Sequence, residues 1–188
     1  FIDDVWDQDS EFLRPEQLNN PINLHPIEFA GEDYSSKLKK VVEQMNKEHA
    51  DLLFLTKLDE IAWFFNLRGS DIPYNPLFYS YCLVDAKNKI INLYIDYRRI
   101  LDSDLFEELP IQIYYESGWD TVIMTYESAY ISVRSIILQL HPESTIWMDK
   151  ERTNLLFFNL AEANSNPMIT KISPPGDLKL TKNEVEMY

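Results

Sequence analysis

The stretch LFYSYCLV-DAKN-KIINLYID, residues 77–96, sets two apolar runs on either side of a four-residue polar turn. A connection that short joins antiparallel strands, because a parallel crossover needs a dozen residues or more. On both sides of this hairpin the chain alternates between strand-like and helix-like periods. DLLFLT (51–56) is a short continuous apolar run, as expected of a strand covered on both faces. TIWMD (145–149) and MITKIS (168–173) read as further strands, and IQIYY (111–115) as another. Leu38, Val41, Val42 and Met45 recur at helical spacing, with Ser35 or Ser36 as the expected cap. Leu58–Asn66 reads as a core helix with Thr56 as cap, and residues 102–110 as a short helix stopped by Pro110. Tyr126–Leu140 carries a stripe of Tyr130, Val133, Ile137 and Leu140, and residues 152–162 form a last clear helix. The expectation is an α/β fold, a mixed β-sheet flanked by helices, since the hairpin argues against an all-parallel sheet.

Three segments follow from the same pass. Residues 1–33 are rich in Asp, Asn and Pro and read as an extended linker tied down at Trp6. Residues 34–175 form the α/β domain. Residues 176–188 read as the start of a further helix, cut short, and Phe1 in place of Met points to a piece of a longer polypeptide.

Composition narrows the function. With 31 acids against 17 bases the net charge is −14, which disfavours a nucleic-acid partner because phosphate neutralisation needs clustered Lys and Arg. Lys37, Lys39, Lys40 and the pair Arg98–Arg99 read as solvated faces. The lone Cys82 sits in an apolar run and reads as a buried thiol, in keeping with a reducing, cytoplasmic setting. No apolar run approaches a membrane span. Four glycines, at 31, 69, 118 and 176, leave no glycine-rich phosphate loop.

Catalytic motifs are sparse. His25, His49 and His141 stand apart and read as surface or cap residues. Asp85 and Asp96, eleven residues apart on the hairpin, imitate a bridging metal pair, but no imidazole or further carboxylate is spaced to join them. The remaining candidates lie in NLRGSDIPYNP, where Arg68 and Asp71 flank Gly69. Either the two brace a turn that Gly69 enters at positive φ, or they border a path that a substrate follows.

LDEIAWFFNLRGSDIPYNPLFYSYCLV, residues 58–84, resembles the second, creatinase-like domain of the long, three-domain Xaa-Pro aminopeptidases. FIDDVW, EFAGEDYSSKL, TIWMDKERTNLLF and LKLTKNEVE resemble further passages of that family, so the resemblance covers essentially the whole chain. It implies a creatinase amino-terminal-domain-like sheet of ribonuclease-H-like topology that shapes access to a catalytic cleft. It also implies a parent metallopeptidase, a homodimer that removes the residue preceding proline from short proline-containing peptides. Two divalent metal ions, manganese by resemblance, would sit in a following pita-bread domain, and a first creatinase-like domain would precede this one. None of the family's ligand motifs occurs here, so no catalytic or metal-binding residue is assigned and this chain alone is expected to be inactive. Two other classes stay open: a free-standing α/β binding or interaction module, and a carboxylate-metal nuclease, which the net charge disfavours.

Overall fold

Leu52–Leu55 (β2) is buried at every position, with Leu53 and Leu55 facing one apolar cluster and Leu52 and Phe54 the other. A strand covered on both faces needs no polar alternation, which accounts for its unbroken apolar run. The computed structural model describes residues 20–96, 98–101 and 118–187. Trp6, the helix expected at 102–110 and the strand expected at 111–115 lie outside these.

In chain order the elements are β1 (Asn23–Leu24), α1 (Ile27–Ala30), α2 (Tyr34–Lys47), β2, α3 (Leu58–Phe65) and β3 (Leu67–Arg68). The hairpin strands β4 (Tyr81–Asp85) and β5 (Ile90–Tyr94) follow, then α4 (Arg98–Leu101) and β6 (Asp120–Met124). The last are α5 (Ala129–Leu138), β7 (Ile146–Trp147), α6 (Leu155–Ala163), β8 (Met168–Ile169) and α7 (Pro174–Leu178). Six strands form one sheet in the order β6-β5-β4-β2-β7-β8. β4 pairs antiparallel with both β5 and β2, whereas β5–β6, β2–β7 and β7–β8 are parallel. The expected mixed sheet is present, with its antiparallel part at the hairpin.

Helices cover both faces. On one, Leu38, Val41 and Met45 of α2 and Ile61, Phe64 and Phe65 of α3 pack on Cys82, Val84, Ile91 and Leu93. On the other, Val133 and Ile137 of α5 and Phe157 and Ala161 of α6 pack on Phe54, Leu83 and Tyr94. The expected α2 stripe is found, but its cap is Asp33, whose carboxylate accepts from Ser36 N at 2.8 Å. Ser36 Oγ instead donates to Glu32. Thr56 does not cap α3; its hydroxyl donates to the Arg152 carbonyl and accepts from Asn154 N, tying α3 to α6. The 126–140 segment begins as a 3-10 turn and becomes α-helical at Ala129, with Ala129 taking the buried place expected of Tyr130. The tail is not one continuous helix: α7 ends at Leu178 and a 3-10 turn spans Val185–Met187.

Residues 20–33, read from sequence as linker, carry structure of their own. β1 pairs antiparallel with β3, Asn23 opposite Arg68, and Ile22 is fully buried.

Candidate functional site

α3 is buried from Glu60 to Phe65, because α2, α7 and the sheet surround it. A helix enclosed in this way can be apolar all round. Asn66 ends it in the left-handed conformation (φ 52°, ψ 42°), where its N–H reaches back to the carbonyls of Ala62 and Trp63. That reversal sends the chain into β3 and the 69–77 loop, so the end of α3 and the loop face one another.

Between them lies a groove of about 700 Å³. Leu58, Ala62 and Trp63 of α3 form one wall, and Ile72, Pro76 and Leu77 of the loop form the other. Its charged rim is contributed by Lys57, Asp59 and Arg68, with Lys179, Lys182 and Glu186 from the carboxy-terminal segment. Arg68 is half-buried, and its Nη1 donates to the carbonyls of Ala62 (3.0 Å) and Leu67 (2.8 Å). Burial depresses its pKa, and the nearby Glu186 carboxylate opposes that shift. Asp59 is engaged by two lysines, Lys179 and, at 3.4 Å, Lys57.

Arg68 and Asp71, paired in the sequence reading, are separated by the fold. Arg68 lines the groove. Asp71 is buried beneath it, accepts from Tyr79 N at 2.7 Å and forms a two-bond ion pair with Arg99 at 2.6 and 2.7 Å. Asp71 holds the loop through Arg99 and Tyr79 N rather than through Arg68, because it turns inward toward α4. Nor is Gly69 at positive φ; among the glycines only Gly31 and Gly118 are. Gly69 is needed for close approach, since a Cβ there would lie 2.6 Å from Phe78 Cβ.

Two of the basic residues expected on solvated faces are instead buried. Arg99 is 5% exposed and also donates from Nε to the Asn20 carbonyl at 2.7 Å, which holds residues 20–22 to the domain. Lys37 is 1% exposed; its Nζ donates to the Trp63 carbonyl (2.8 Å) and Asn66 Oδ1 (2.5 Å) and lies 4.3 Å from the Trp63 ring. Burial lowers its pKa to about 8. Both are helix residues whose long stems reach inward to backbone oxygens, a geometry that a charge pattern cannot show.

The Asp85–Asp96 pair does not fit a metal centre. Asp85 closes its own turn by accepting from Asn88 N and Nδ2, and Asp96 pairs with Arg98. Among the described residues no group of three or more His, Cys, Asp or Glu is placed to hold a metal ion. His49 is exposed, in the left-handed conformation just beyond α2, and His141 accepts from Glu143 N. His25 stacks on Phe29, and burial, reinforced by Arg68 and Lys37, lowers its pKa. Cys82 is a fully buried thiol whose pKa burial raises. Among the described residues no helix is long and apolar enough to cross a membrane. Sequence reasoning found Arg68 but missed Lys57, Asp59, Lys179, Lys182 and Glu186, because no local period joins residues that only the packing of α3 against the carboxy-terminal segment brings together.

Comparison with known proteins agrees with this architecture. The chain is 31% identical over 189 residues to a probable Xaa-Pro aminopeptidase P of Talaromyces stipitatus, covering 99% of this chain and 26% of that protein. It is 33% identical over 186 residues to the Xaa-Pro aminopeptidase ApepP of Drosophila melanogaster, covering 99% of this chain and 28% of that protein. The chain thus spans about a quarter of the length of these relatives. The X-prolyl aminopeptidase of Caenorhabditis elegans, described as a cytosolic enzyme with a di-nuclear active site, superposes with a TM-score of 0.78 at 27% identity, over 99% of this chain and 28% of that one. The aminopeptidase P of Streptococcus thermophilus shares the fold, with a TM-score of 0.50 at 12% identity, over 78% of this chain and 98% of that one. A family model for the creatinase/prolidase N-terminal domain matches residues 13–186, and the chain belongs to that family.

Proposed function

We propose that this domain is a non-catalytic part of an Xaa-Pro aminopeptidase and forms a wall of the path by which short peptides reach its catalytic centre. The observation that carries the reading is the match of 99% of this chain to Xaa-Pro aminopeptidases of which it makes up about a quarter. The parent enzyme would remove the residue preceding proline at a centre of two divalent cations, manganese in our reading, held by residues outside this chain. Its other parts would be a first creatinase-like domain and a pita-bread catalytic domain, in a cytoplasmic homodimer. Selection by size needs walls of fixed shape rather than ionisable chemistry. Within the loop, Asp71 braces and Arg68 borders the path.

The test is release of the amino-terminal residue from a short Xaa-Pro peptide with added manganese. The 188-residue chain should give no turnover, and a longer polypeptide that contains it should give turnover. Turnover by the chain alone, lost in Asp85→Asn and Asp96→Asn, would overturn the reading. In the longer enzyme Arg68→Ala should raise KM or lower kcat/KM, with melting little changed.

A further inference from the structure

Arg68 is a half-buried cation of the groove whose hydrogen-bond partners among the described residues are carbonyls alone. Its Nη1 is bound to two carbonyls, and no carboxylate of the described residues forms an ion pair with it. Bound to neutral carbonyls through Nη1, with the Glu186 carboxylate acting on it without an ion pair, the guanidinium keeps Nε and Nη2 without a partner among the described residues and open to a ligand carboxylate. Its surroundings favour one. Four basic side chains and two acidic ones line the groove, in a chain of net charge −14. Of the acids, Asp59 is engaged by Lys57 and Lys179, and Glu186 accepts from Asn183 N at 3.2 Å. Lys182 has no ion-pair partner among the described residues.

We propose that the groove binds the free carboxylate of a short apolar peptide, with the carboxylate on the Arg68 guanidinium and the terminal side chain between Trp63 and Leu77. The planar fork of arginine matches a carboxylate with two parallel N–H donors. Apart from Asn75 the facing walls are apolar, a surface that a bare inorganic anion would leave unused. The volume of about 700 Å³ falls among pockets that hold small organic ligands. Tyr74, at the tip of the loop that carries the apolar wall, is fully exposed and held at a φ of 64°. An aromatic residue in that conformation marks a loop shaped by more than its own preference. The inference deepens the peptide-path role proposed above. Its readout is binding by this chain alone, so its failure and the failure of that role are seen in different experiments.

The experiment is a titration of the isotope-labelled 188-residue chain, following the Trp63 indole N–H and Arg68 Nε–H resonances. The probes are a leucine-terminated tripeptide as free acid, the same tripeptide as carboxamide, and inorganic phosphate. The acid should shift both resonances, and the carboxamide should bind about 10- to 100-fold more weakly, the loss expected for a charged hydrogen-bonded pair. Arg68→Gln should reduce the acid to the level of the carboxamide while keeping a dispersed spectrum. Should that variant not fold, Lys182→Glu at the rim should weaken the acid several-fold and leave the carboxamide unaffected. Equal binding of acid and carboxamide, unchanged binding in the folded Arg68→Gln or Lys182→Glu variant, or an equal effect of phosphate would each overturn the proposal.

Discussion

Asp71 and Arg99, 28 residues apart, form a buried ion pair with two bonds of 2.6 and 2.7 Å. It locks the 69–77 loop onto α4. Arg99 also holds the Asn20 carbonyl through Nε and accepts from Ile22 N through its own carbonyl, so three segments meet at one residue. Removing either partner leaves an uncompensated buried charge. Asp71→Ala or Arg99→Ala should therefore cost about 3–5 kcal/mol in urea unfolding. An apolar replacement of both, Asp71→Leu with Arg99→Met, should recover much of that loss.

Lys37 gives the molecule a pH signature. Its folded pKa of about 8 lies below the ordinary 10.5, so between these values the unfolded chain binds more protons than the folded one. Stability from this residue therefore rises with pH across that window, by about 3 kcal/mol. Tyr34, Tyr94, Tyr126 and Cys82, all raised by burial, act with the opposite sign at high pH. Comparison with Lys37→Met cancels those groups. Urea unfolding from pH 8 to 10.5 should show the wild type gaining stability relative to the variant, and parallel curves would refute the assignment.

Gly69 and Gly118 separate two reasons for glycine. At Gly118 the φ is +66° and no atom of the described residues lies within 4 Å of an added Cβ, so Gly118→Ala should cost its backbone strain, about 1 kcal/mol. At Gly69 the added Cβ meets Phe78 Cβ at 2.6 Å and the Leu77 carbonyl at 3.1 Å. Gly69→Ala should cost about 1–3 kcal/mol through overpacking, with the loop displaced. Thermal melts of the two variants, with spectra of the Phe78 ring, check both.

Trp63 is 6% exposed, belongs to the core and supports the Lys37 ammonium. Trp63→Ala should destabilise by about 3–5 kcal/mol. An unchanged melting midpoint would show that α3 does not anchor this layer.

The mixed sheet, its flanking helices and the family were all legible in local patterns along the chain. Each rests on short-range signals: a four-residue hairpin turn, apolar runs with a period of two or 3.6, and a long local motif. Leu52–Leu55 could be read as a fully covered strand, and α2 from its stripe, because burial of a face imposes its period directly on neighbouring residues. The partners of the polar groups, in contrast, came from the packing of distant segments. Charge alone placed Lys37 and Arg99 on the surface, whereas the fold buries both against oxygens 26 to 79 residues away. It separated Arg68 from Asp71 and gathered Lys179, Lys182 and Glu186 beside Arg68. A buried polar group takes whichever partner the packed backbone brings within about 3 Å. That proximity is a property of the assembled layers, and no local spacing along the chain encodes it.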